Sequence, residues 1–128
     1  MPVLAQIAAG TAAILHVLFF IMESVLFTQP DVYHRFGIAS QEEAETVRPM
    51  AYNQGFYNLA LAIGIVVGLV MVNRTGDAVI AGKAIVLFAC ACIVLAAVVL
   101  FSTGRRFLTA ALIQGLSPLL AIVFAVVL

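Results

Sequence analysis

Four long apolar stretches, at about residues 3–27, 50–72, 78–101 and 107–128, decide what this chain can fold into. Each reaches the roughly 20 residues that a helix needs to cross the hydrocarbon core of a bilayer. Within them the only Asp, Glu, Lys or Arg residues are Glu23 and Lys83. No water is present in that core to satisfy backbone N–H and C=O groups, and a helix is the structure that satisfies them within a single segment. Asn73-Arg74-Thr75-Gly76-Asp77 and Ser102-Thr103-Gly104-Arg105-Arg106 are short polar turns, so the segments that they join run antiparallel. The expected fold is all-α, a transmembrane up-down four-helix bundle, with residues 1–128 forming a single integral membrane domain.

Composition supports this. Apolar residues make up 65% of the chain and charged residues 9%, against about 45–50% and about 25% in soluble domains. A water-soluble core of this size could not hide that much apolar side chain, and the surplus must face lipid. Six basic and six acidic residues cancel. There is no basic excess to mark a nucleic-acid partner and no polybasic run to mark an anionic-lipid site. Cys90 and Cys92 point in nearly opposite directions on a helix and read as packing residues, with no disulfide or metal-ligand spacing. No Lys or Arg precedes Glu23, so the first apolar segment reads as a retained span and not a cleaved signal.

Between the first two spans lies a polar loop, residues 29–48, which Gln29, Pro30 and Asp31 open. Ser40-Gln41-Glu42-Glu43 has capping-box spacing and predicts a short helix from about residue 41. Pro49 would kink it or begin the next span. The chain shows no internal repeat. Loops one and three hold Arg35, Arg48, Arg105 and Arg106, and the opposite side holds Arg74, Lys83 and the terminal amine. That balance places loops one and three in the cytoplasm and both termini outside, in a multi-pass protein of the cell (inner) membrane.

Polar groups inside the spans are costly and therefore informative. His16 and Glu23 are seven positions apart, which puts them on one face of an α-helix, roughly 10 Å apart along its axis. Asn53 and Tyr57, and Gln54 and Asn58, each pair at a spacing of four and form one polar patch at the start of the second span. Gln114 enters the fourth span from the same side. Most of these groups converge in one leaflet, beside loops one and three. They form the candidate ligand or proton site: Glu23, Asn53, Gln54, Tyr57, Asn58 and Gln114, with His16 deeper. Interhelical hydrogen bonding alone is the competing explanation for the amides. Ala60, Gly64 and Gly68 make a small-residue stripe for helix packing, and Gly115 with Pro118 makes room and a bend beside Gln114. His16 and Glu23 are too far apart along one helix to share a metal ion. No phosphate loop, zinc motif or nucleophile elbow appears, and no cofactor is implied.

The run Asn53-Gln54-Gly55-Phe56-Tyr57-Asn58 resembles the N-Q-G-x-Y-N motif that opens the second span of the domain-of-unknown-function 1304 family, small bacterial membrane proteins. His16 and Glu23, Phe36-Gly37, Cys92 with Ala96 and Thr103, and Gln114-Gly115 with Pro118 are similar to further features of that family, in the same order. The likeness covers nearly the whole chain. Ser24, Val25 and Leu26 depart from it, where the family has Met and a bulky aromatic, and so does the apolar run Ala97 to Phe101. The resemblance implies a four-helix membrane fold and no established activity.

Three readings of function follow. In the first, the polar site binds or transports a small or lipid-soluble molecule, with Glu23 holding a cation or carrying a proton. A bundle this small would then act as a homo-oligomer. In the second, the chain is a structural or accessory subunit of a membrane complex, and the polar patch is packing. In the third, it is a membrane-embedded isomerase or oxidoreductase acting on a lipid-soluble substrate. Glu23 lacks the second ionisable partner that paired acid–base work needs, which weighs against an enzyme.

Overall fold

The computed structural model describes all 128 residues, Met1–Leu128. It is all-helical. Helix α1 spans Val3–Phe20 and continues as a π-helical turn, Ile21–Val25. A short helix α2, Pro30–Tyr33, leads into a 3₁₀ turn, His34–Phe36. Helix α3 runs Gln41–Val72, α4 runs Asp77–Ser102, and a 3₁₀ turn at Arg105–Phe107 precedes α5, Leu108–Val127. Four helical segments, Val3–Val25, Gln41–Val72, Asp77–Ser102 and Arg105–Val127, are long and apolar enough to cross a membrane.

The chain divides into two compact units: Met1–Leu15 with Leu61–Leu128, and His16–Ala60. The first unit draws on all four long helices. Its core is built largely from alanine: Ala8, Ala9, Ala12 and Ala13 of α1, Ala62 and Ile65 of α3, Val86, Ala89, Cys90 and Ile93 of α4, and Ala121 of α5. Lipid offers helices no hydrophobic drive to associate, so small residues that let backbones approach are what bring them together. Many of the larger side chains, including Ile7, Ile63, Ile80, Phe88 and Leu95, point outward. At one end of this unit, Asn73 donates through Nδ2 to Gln6 Oε1 at 2.8 Å and to the Leu69 carbonyl at 2.8 Å.

In this unit α3 and α4 cross closely at a pair of glycines. A Cβ added at Gly68 would lie 2.6 Å from Val86 Cγ2 and 2.9 Å from the Gly82 carbonyl oxygen. One added at Gly82 would lie 2.7 Å from the Gly68 carbonyl oxygen. Gly64 and Ala60 extend the small-residue stripe in sequence only. A Cβ at Gly64 would meet nothing within 4 Å, and Ala60 is exposed. Between α4 and α5, Gly115 does the equivalent work: its Cβ would sit 2.7 Å from Ala97 Cβ. The α3–α4 connection turns on Gly76, whose φ of 66° lies in the left-handed region.

The second unit shows why the polar loop is more ordered than its composition suggests. Pro30 does not merely stop the first span. It occupies the first turn of α2, where a missing N–H costs nothing. The helix starting at Gln41 is not short: α3 continues unbroken through Pro49 into the second span. Its start is capped by Ser40 Oγ, which accepts from Glu43 N–H at 3.2 Å, while Glu43 Oε2 accepts from Ala39 N–H at 3.3 Å. An interior Pro forfeits a hydrogen bond and costs about 3 kcal/mol. Here Ala44 and Ala51, one on each side of Pro49, pack in one cluster with Phe27 and Tyr33, joined by Ile38 and Val47, and hold the helix through it.

The glycine crossing can be tested by thermal unfolding in detergent. Gly82→Ala should destabilise the protein by about 1–3 kcal/mol, the usual range for overpacking. Gly64→Ala, with open space around it, should be neutral or should stabilise by up to about 1 kcal/mol through helix propensity. Equal effects at the two positions would refute a specific contact at Gly68–Gly82.

Candidate functional site

The site begins with a local irregularity in the first span. The Leu26 N–H donates to the Ile21 carbonyl at 2.9 Å, five residues back, which closes the π turn Ile21–Val25. Such turns insert an extra residue into a helix and recur at functional positions. Glu23 and Ser24 lie inside it. His16 is fully buried, its ring edge-on to Phe19 with centroids 5.1 Å apart.

Glu23 faces α3. Asn58, also buried, donates from Nδ2 to Glu23 Oε1 at 3.2 Å. The second carboxyl oxygen, Oε2, is buried and has no hydrogen-bond partner. One residue on, Ser24 Oγ donates to the Tyr52 carbonyl at 2.8 Å. The two segments come this close because position 55 is glycine. A Cβ there would collide with the Ser24 side chain and lie 3.1 Å from the Ser24 backbone nitrogen. Phe20 and Phe56 close one flank edge-to-face at 5.1 Å, and Tyr52 stands 5.0 Å from Phe56.

The motif Asn53 to Asn58 is therefore split between two faces of α3. Ala51, Gly55 and Asn58 are buried at helical spacing. Asn53, Gln54 and Tyr57 lie on the exposed side, where their side chains make no hydrogen bond within the chain. A spacing of four puts Asn53 with Tyr57 and Gln54 with Asn58 on neighbouring ridges, yet only Asn58 meets Glu23. Ser24 and Gly55 carry the contact and were not among the residues that hydropathy singles out. Gly55 was visible as the one residue of the motif without a side chain. Ser24 stood out only as a departure from the family's Met, and hydropathy gave it no role, since serine is unremarkable in an apolar helix.

Gln114 belongs to the other unit. It is half-buried on α5, and its side chain makes no hydrogen bond within the chain. Pro118 follows four residues later and is fully buried. Having no N–H, it leaves the Gln114 carbonyl without its helical donor. Ser117 Oγ, three residues from Gln114, is buried with no partner. Gln114 and Ser117 thus form a second small polar spot, of which the sequence reading identified only the amide.

The Ser24–Gly55 approach predicts a specific coupling. Gly55→Ala should destabilise the protein, and Ser24→Gly in the same chain should recover much of that loss. The double-mutant cycle, read from unfolding midpoints, should give a coupling of about 1 kcal/mol or more. Additive effects would show that the two residues do not touch.

No curated protein and no solved structure matches the chain. The family model for a protein of unknown function (DUF1304) matches residues 10–126, which takes in the π turn, the Asn53 to Asn58 motif and Gln114. The chain belongs to that family.

Proposed function

We propose that the Glu23 site binds a small, lipid-soluble molecule that presents a hydrogen-bond donor or a positive charge, and that Glu23 can exchange a proton or cation with it. The observation that carries this reading is the unpartnered Glu23 Oε2 beside an Oε1 that Asn58 already holds. If the contact served only packing, glutamine would do as well, because its carbonyl accepts from Asn58 without the cost of an ionisable group in a span. Glutamate adds a second acceptor and a titratable proton. Transport, as opposed to binding, would require more than one copy of a chain this small.

The decisive variant is Glu23→Gln, which keeps the Asn58 hydrogen bond. Wild-type protein purified from membranes and extracted for mass spectrometry should carry a small molecule that the variant lacks, while both melt within about 1 kcal/mol of each other. A variant that retains the same molecule, or that loses stability without losing one, would overturn the reading.

A second reading, as a subunit of a larger membrane assembly, is favoured by Asn53, Gln54 and Tyr57. Their exposed side chains have no partner in the chain, and a neighbouring helix could supply one. Replacing Asn53 and Gln54 by Leu would then shrink the complex extracted in mild detergent and leave the Glu23 ligand in place.

Orientation belongs to the same proposal. With Arg35, Arg48, Arg105 and Arg106 on one side, loops one and three face the cytoplasm and both termini lie outside. A reporter active only in the cytoplasm, fused after Leu128, should be silent, and activity there would reverse the assignment.

A further inference from the structure

Helices α4 and α5 leave a groove of about 200 Å³ on the outer surface of the first unit. Its floor is made by Ala97, Ala111 and Gly115, where the missing Cβ at position 115 lets the Ala97 side chain close in. Val98, Leu112 and Leu116 form the walls, each more than half exposed. It runs from Val94 to Phe101 on α4 and from Leu108 to Leu119 on α5, roughly 10 Å and 16 Å of helix. The lining is apolar throughout, and the groove lies parallel to the two helices, as an acyl chain does in a bilayer.

One end of the groove carries charge. Phe101 and Leu108 close it, and the connection between them holds Arg105 and Arg106. Both arginines are exposed and neither makes an ion pair. No acidic residue occurs anywhere from Ala78 to Leu128, so the hairpin cannot neutralise them itself. The Arg106 guanidinium is held 4.7 Å over the Phe107 ring. Ser102 and Thr103 hydroxyls donate to the Val99 and Leu100 carbonyls at 2.6 and 2.7 Å. The guanidinium donors of the two arginines are left free. The N-terminus of α5 points its positive dipole end at the same place.

We propose that this hairpin binds an anionic phospholipid of the surrounding bilayer, its phosphate at Arg105 and Arg106 and one acyl chain along the α4–α5 groove. Two arginines are too few to register as a polybasic run. Their meaning comes from the apolar groove that ends beside them, which holds the lipid that a bare surface charge would only attract. The site lies wholly in α4, α5 and the turn between them, and is independent of Glu23.

The protein has no tryptophan, so a single introduced Trp reports its own lipid neighbours. Leu112→Trp and Val98→Trp place the probe in the groove wall. Ile113→Trp places it at nearly the same depth on α5, outside the groove. The proteins are reconstituted in mixtures of phosphatidylglycerol and phosphatidylcholine, with one or the other brominated to quench fluorescence. At Leu112 and Val98, quenching should show a relative affinity roughly threefold or more in favour of phosphatidylglycerol. At Ile113 the ratio should be near one, and R105Q/R106Q should bring the groove probes down to it. Equal quenching by both lipids at both groove positions would overturn the proposal. So would a preference that survives R105Q/R106Q, or one that Ile113→Trp shares in full, which would mean diffuse attraction without a site.

Discussion

In hydrocarbon every backbone N–H and C=O must find a partner within the protein, and the helices of this chain exist because they meet that demand. The places where the helical ladder is broken are correspondingly few, and they lie beside polar side chains. The π turn at Ile21–Val25 holds Glu23 and Ser24. Pro118 frees the carbonyl of Gln114 and neighbours the orphaned hydroxyl of Ser117. Pro49 sits four residues before Asn53, at the junction between the loop-side part of α3 and its apolar part. Regular helix is what the bilayer enforces, so departures from it are the positions at which other demands have prevailed.

The same solvent explains how the helices pack. Apolar area gives lipid-embedded helices little reason to prefer each other over acyl chains. Close approach has to come from small residues, and three glycine contacts supply it: Gly68 against Gly82, Gly115 against Ala97, and Gly55 against Ser24. The first two assemble the alanine-lined core of one unit. The third presses α3 against the π turn in the other and so brings Asn58 within reach of Glu23. Packing and site chemistry depend on one device, the missing Cβ, used in different surroundings.

Two polar features then stand out against an otherwise apolar chain. Glu23 keeps a buried, unpartnered oxygen where glutamine would satisfy Asn58 equally well. Arg105 and Arg106 stand unneutralised at the end of an apolar groove. The first suits a ligand that meets a carboxyl, and the second suits the bilayer's own anionic lipids.

Apolar stretches long enough to span, punctuated by Asn73 to Asp77 and Ser102 to Arg106, were sufficient to define four helices and the all-α class, because hydropathy alone selects helix in lipid. The pairing of Glu23 with the amide motif was legible to the level of a shared region. Which amide makes the contact was not, since Asn58 and Gln54 are equivalent by spacing and only the side of α3 that meets the π turn separates them. The π turn itself left no mark in the sequence, and neither did the passage of α3 through Pro49, which depends on Phe27 and Tyr33 packing across it. The sequence by itself determined that this protein is helical, apolar on its outside and polar at a few costly points. Tertiary structure alone decided which of those points touch, because contact between helices in lipid is set by where small residues let backbones meet and not by hydropathy.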